Sequence, residues 1–308
     1  MLADKIVSSY QAGKTAQSWI IAGPEGIGKH KIVQRIVNAL LGQRAGDLSA
    51  GLKTIECGLT EEAKKAVQKA ILDGQTPDEE DLARKKSEIT VEDIRSGIDF
   101  LSLKSTLPCR ILVISLADDM NEKAQNTLLK TLEEPYEKSL ILLLSENIER
   151  LLPTIRSRCQ KMFLPALSPQ ELKKRLLIEY PTISDLDKVV EISGGIPGIA
   201  KKIIENDGLN LYDSFLTLMN PLKSISAEVV LDFADKVAKD HIQLDLVRLF
   251  MLQFVADQAK KSTVVVGNDW SLFYTHLQNE WRKIDRFYLD KEQTVSEMIF
   301  EIERHLND

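Results

Sequence analysis

The stretch GPEGIGKHKI, residues 23–32, holds the residue types with the clearest chemical meaning in the chain. Gly23, Gly28 and Lys29 fit the spacing G-x-x-x-x-G-K-[ST], and Gly26 lies inside the same turn. In such a loop, successive backbone N–H groups cradle phosphate oxygens and the lysine reaches the β- and γ-phosphates. The next position normally supplies a hydroxyl to Mg²⁺, but here it is His30. Imidazole is a poor ligand for that hard, oxygen-preferring cation. The candidate nucleotide-binding residues are therefore Gly23, Gly26, Gly28, Lys29 and His30, in a degenerate loop.

A loop of this kind works with an acid at the end of a second strand, which holds the metal, commonly followed by a glutamate. Here the strand candidate CRILVISL (109–116) ends in Ser115 and Leu116. Asp118 and Asp119 come three residues late, and the sequence reads them as solvated acids near a helix start. A third feature is TIRSRC (154–159), whose Arg158 on a rigid loop could reach phosphate charge in a neighbouring subunit.

These residues need elements to hold them. SWIIAG (18–23) reads as a buried strand feeding a turn, and KHKIVQRIVNALLG as a helix stopped at Gly42. LTEEAKKAVQKAILDG (59–74) has helical signals with Thr60 as cap. TVEDIRSGIDFLSL opens with a Thr90/Asp93 capping box. NEKAQNTLLKTLEEP (121–135) is predicted to be a helix capped by Asn121, striped by Ala124, Leu128 and Leu132, and stopped before Pro135. SLILLLS (139–145) and KMFLP (161–165) complete four strands. Strands alternating with helices imply a parallel sheet covered on both faces, over residues 1–165. From LSPQELKKRLL (167–177) onward the pattern is helical, except at SGGIPG (193–198). Residues 166–207 read as a small helical domain and 208–308 as a last helical domain.

The bulk composition sets limits. With 308 residues the chain exceeds one ordinary domain, and its net charge of −6 does not suit a protein that coats nucleic acid. The cysteines, Cys57, Cys109 and Cys159, form no C-x-x-C pair, so neither zinc knuckle nor disulfide framework is suggested. The first residues lack an apolar targeting core, and the longest apolar run, at 140–145, is too short for a bilayer. A soluble, cytoplasmic protein without membrane contact is expected. His241, His276 and His305 show no spacing that suggests ligands. Trp270, Phe273, Tyr274, Leu277 and Trp281 recur at helical spacing and read as packing, and the run RKK (84–86) as a solvated face.

GPEGIGK, ADDMNEKAQNTLLKTLEEP and LLPTIRSRC, in that order and spacing, resemble the bacterial clamp-loader family of AAA+ proteins, most narrowly its delta-prime branch. The helix motif is the most specific, over Ala124, Asn126, Leu128–Pro135. The resemblance covers roughly 15–200 well and 208–308 only by helical character. It implies a RecA-like AAA+ α/β domain, a helical lid and a helical collar that assembles in a ring. It implies partnership with clamp-loader ATPase (gamma/tau) and delta subunits, and through them with a sliding clamp and primed DNA. It assigns Arg158 as an arginine finger acting in trans, with Ser157 and Cys159 shaping its loop. Active sister subunits carry a complete loop, an acidic pair and a lid arginine; this chain has His30, Ser115 and Leu116, and Pro197 there. An ATPase-inactive subunit is expected, with ATP or ADP binding left open. Many relatives carry a four-cysteine zinc module, but residues 43–90 offer Cys57 and no histidine, so no metal is expected. The rival readings are an active clamp-loader ATPase subunit and a nucleotide-free AAA+ scaffold.

Overall fold

The computed structural model of the chain describes residues 2–12, 17–42, 51–55, 88–103, 107–183, 185–219, 226–261, 264–287 and 290–307. Cys57, the expected helix at 59–74 and the run at 84–86 lie outside the described residues. Two compact units divide the chain, residues 1–166 and 167–308.

The first unit is built on a five-stranded sheet: β1 (Ser18–Ala22), β2 (Leu52–Ile55), β3 (Arg110–Ile114), β4 (Ser139–Ser145) and β5 (Gln160–Phe163). Their order is β2-β3-β4-β1-β5, and every pairing is parallel. Central strands of a parallel sheet are apolar on both faces, and alternate residues here serve two separate cores. Trp19, Ile21, Ile111, Val113, Leu140, Leu142 and Leu144 pack with α1 (Leu2–Gln11) and α2 (Lys29–Leu41). Ile20, Ala22, Leu112, Ile114, Ile141 and Leu143 pack instead with α3 (Val91–Ser102) and α4 (Glu122–Glu133). The expected stripe of α4 is the buried one, with Ala124 and Leu128 fully enclosed. Asn121 Oδ1 accepts from the Ala124 N–H at 2.9 Å, and Thr90 with Asp93 forms the expected capping box.

Strand β2 is not legible in the sequence. It has four residues with a lysine among them, and it exists because it pairs with β3, Leu52 opposite Ile111 through Ile55 opposite Ile114. The strand at the end of the unit begins one residue earlier than expected, at Gln160.

The second unit is helical in its described residues: α6 (Pro169–Glu179), α7 (Leu186–Ile192), α8 (Pro197–Glu205), α9 (Gly208–Leu218), α10 (Ala227–Ala238), α11 (His241–Lys261), α12 (Val264–Phe287) and α13 (Lys291–Asn307). Ser168, Pro169 and Glu171 start α6 with the expected capping box. One hydrophobic core runs from Leu172 to Ile302, with no break at residues 207/208. Trp270, Leu277 and Trp281 are buried in it and Phe273 and Tyr274 pack against it, so this aromatic stripe is structural. The histidines have partners that sequence spacing does not reveal. His276 Nε2 lies 3.0 Å from Glu301, and the His305 ring stacks on Phe273 with centroids 4.4 Å apart.

Leu142 is fully buried on β4, the strand between β3 and β1. Leu142→Ala is expected to cost about 2–5 kcal/mol of stability, read from the midpoint of urea unfolding. An unchanged midpoint would contradict the packing described here.

Candidate functional site

The loop 23–28 runs from the end of β1 into α2. Gly28 is the N-cap of α2 at φ 103°, a left-handed backbone that glycine adopts without penalty. Gly23 is needed for a different reason: a Cβ there would stand 2.8 Å from the Leu164 carbonyl oxygen. Helix α2 has no side-chain cap and no acid in its first turn, which begins Lys29, His30, Lys31. Its positive end therefore carries no opposing acid, an arrangement suited to an anion.

The Lys29 side chain is 6% exposed and turns back on the loop. Its Nζ donates to the Gly23 carbonyl at 2.6 Å and to the Pro24 carbonyl at 3.1 Å, with Glu146 3.8 Å away. Burial lowers the Lys29 pKa, and the nearby Glu146 charge opposes that shift. His30 is the less usual group. Burial, then the charge of Lys29, pushes its pKa down to about 4, so it is neutral at pH 7. Its Nδ1 is shielded from solvent and has no hydrogen-bond partner among the described residues.

At the end of β3, the positions where a metal-holding acidic pair would stand are Ser115 and Leu116. Ser115 is buried, its hydroxyl without a partner among the described residues. The expectation that Asp118 is solvated is wrong, since it is only 8% exposed. Asp118 Oδ1 accepts from the Ser145 hydroxyl at 2.6 Å, and Oδ2 accepts from the backbone N–H groups of Glu146 at 2.6 Å and Asn147 at 2.9 Å. A buried carboxylate requires such partners, and here they are the end of β4. Both oxygens are committed to structure. The sequence missed this because the partners lie 27 to 29 residues away. Glu146 now stands beside Lys29, and burial and then the neighbouring Glu25 push its carboxyl pKa up. The altered positions thus carry a neutral imidazole and a serine hydroxyl, with a carboxylate whose oxygens are both bonded at Asp118 and the Glu146 carboxylate beside Lys29.

Arg158 is on a different surface. The expectation of a loop is corrected, because Pro153–Arg158 forms the short helix α5, with Arg158 its last residue. Pro153 at the first helical position favours the turn. Ile155, fully buried, pins α5 to the core. The Arg158 side chain is 34% exposed and pairs with Glu133 at the end of α4. Its Nε donates to Glu133 Oε1 at 2.7 Å, and its Nη1 donates to the Thr154 carbonyl at 3.0 Å. Ser157 donates its hydroxyl to the same Thr154 carbonyl at 3.0 Å. Cys159 is buried, and burial pushes its thiol pKa up to about 12, which leaves it protonated and unreactive. Pro197 starts α8 and is buried within the second unit.

With this geometry in view, similarity to known proteins decides the family. A family model described as "DNA polymerase III, delta subunit" matches residues 1–168. The chain belongs to the DNA polymerase III delta-subunit family. Its relatives include delta-prime subunits, the branch its motifs indicated, and also gamma and tau subunits of DNA polymerase III. DNA polymerase III subunit delta' of Pseudomonas aeruginosa is 33% identical over 194 residues, 61% of this chain and 56% of that protein. The corresponding subunit of Escherichia coli is 30% identical over 210 residues, 66% of this chain and 59% of that protein. The chain spans a little over half the length of these curated relatives. A gamma subunit-related protein of DNA polymerase III from Thermotoga maritima aligns over 99% of both chains with a TM-score of 0.52 at 14% identity, which shows a shared fold. The parallel α/β sheet followed by helices, expected from the motifs, is the architecture present. Among the described residues, no helix is long and apolar enough to cross a membrane.

A histidine whose pKa falls from 6.5 to about 4 on folding makes stability depend on pH in one direction. The unfolded chain binds the proton first, so stability is full above pH 6.5 and declines as pH falls toward 4. Between pH 7 and pH 5 the wild type should lose about 2 kcal/mol more than His30→Gln, measured by urea unfolding at both pH values. Equal losses would show that His30 titrates normally.

Proposed function

We propose that the chain works as a clamp-loader delta-prime subunit that completes a neighbour's ATP site and does not hydrolyse ATP itself. One observation carries this reading: the metal-side positions of its own loop are changed or committed, while a partly exposed arginine at the end of α5 is held by its guanidinium. His30, Ser115, Leu116 and the saturated Asp118 cannot assemble the hard-cation site that phosphoryl transfer needs. Arg158 carries the fixed charge that stabilises a γ-phosphate from outside, with Ser157 and Cys159 shaping its end of the helix.

On this reading the partners are gamma/tau and delta subunits in a ring, acting on a sliding clamp and primed DNA in the cytoplasm. The α/β unit takes the AAA+ role, 166–207 that of a lid and 208–308 that of a collar. No metal is required by this chain, and residual ATP or ADP would bind through the loop amides and Lys29. The active-subunit alternative is disfavoured by the same donor set.

Reconstitution with the cognate ATPase subunits tests the proposal. Arg158→Ala should reduce ATP turnover at the one site it serves by about 10³–10⁵-fold. Turnover at that site equal to wild type would overturn the reading.

A further inference from the structure

The most specific stretch of the sequence, QNTLLKTLEEP in α4, is not explained by core packing alone. Ala124, Leu128 and Leu132 account for its buried stripe. Gln125 and Glu133 do not belong to that stripe, and both reach the helix that carries Arg158.

Gln125 is 4% exposed. Its side-chain nitrogen donates to the Met120 carbonyl at 3.0 Å and to the Arg150 carbonyl at 3.4 Å. Its Oε1 accepts from the Leu152 N–H at 2.7 Å. Leu152 is the N-cap of α5, so Gln125 fixes the root of that helix. Eight residues on, about 12 Å along α4, Glu133 meets its other end. Glu133 Oε1 accepts from both Nε and Nη2 of Arg158, while Thr154 takes Nη1. A guanidinium has five N–H donors, and this pattern uses the edge formed by Nε and Nη2. Nη1 also donates to the Ser157 hydroxyl oxygen at 3.4 Å, so among the described residues the outer N–H of Nη2 is the donor left for an incoming oxyanion. Arginine is a flexible side chain, and holding it in one rotamer before contact removes an ordering cost from the reaction.

We infer that α4 is a splint for the finger: Gln125 seats the helix that carries Arg158, and Glu133 is the positioning residue that aims its guanidinium. The inference rests on the proposed trans role of Arg158. Glu133 touches neither nucleotide nor metal and acts only through the arginine. The pair is partly exposed, 34% and 49% for the two side chains, so it contributes little to folding. Loss of Glu133 should therefore be felt in the neighbour's turnover rather than in the stability of this chain.

The test uses reconstituted rings in which the ATPase sites not served by this chain are silenced, with wild type, Glu133→Gln, Glu133→Ala, Arg158→Ala and the double variant Glu133→Ala/Arg158→Ala. Glu133→Gln and Glu133→Ala are expected to lower kcat for ATP by roughly 10- to 100-fold with KM unchanged. The double variant is expected to match Arg158→Ala, since a residue that acts through another adds nothing once that one is gone. Circular dichroism and ring assembly should match wild type for Glu133→Gln. If Arg158→Ala slows turnover while Glu133→Gln leaves kcat unchanged or raises it, the splint is refuted and the finger stands. A double variant slower than Arg158→Ala alone also refutes the splint. If Arg158→Ala leaves turnover at wild-type level, the finger reading and the splint fall together.

Discussion

A carboxylate removed from water must have its lone pairs filled, and the C-terminal edge of the sheet is organised around that requirement at Asp118. Its two oxygens take a hydroxyl and two backbone N–H groups from residues 145–147. That contact ties the turn after β3 to the end of β4. It sets Glu146 beside Lys29, and Lys29 in turn holds the loop through the Gly23 and Pro24 carbonyls. Asp118 is thus a structural clamp between the two strand ends. Ser115, three residues earlier, brings a hydroxyl without a partner among the described residues to the position of the usual acid.

A second arrangement, on a different surface near the starts of β4 and β5, has different chemistry. Helix α5 packs through Ile155 and ends in an arginine that remains accessible. Its neighbours are saturated and inert: Ser157 is bonded within the helix and the Cys159 thiol is held protonated. Ser157 and Cys159 bring no charge to Arg158, and the anion already paired with it is the Glu133 carboxylate. On this one parallel sheet the two charged features diverge, Lys29 folded inward and Arg158 partly exposed.

Much of this was legible in the sequence, for reasons that residues make plain. The strands at 18–22, 110–114 and 139–145 are continuous apolar runs because both faces are covered. Helices α3, α4 and α6 announce themselves by caps at Thr90, Asn121 and Ser168. The loop 23–30 is local chemistry at fixed spacing. What was not legible depends on contacts distant in sequence. Strand β2 is four residues stabilised by its neighbour β3. Asp118 resembles any acid near a helix start until residues 145–147 are brought against it. Gln125 looks like a polar position on an amphipathic helix until Leu152 arrives. Arg158 read as a loop residue because six residues opening with Pro153 are too short to show a helical period.

The central claim is that this chain lends charge to a neighbour and hydrolyses no ATP with its own loop. The most direct test is ATP hydrolysis by the purified chain alone, with and without Mg²⁺, beside Lys29→Ala. The account predicts no turnover above background in any of the three. Mg²⁺-dependent hydrolysis that Lys29→Ala abolishes would contradict it.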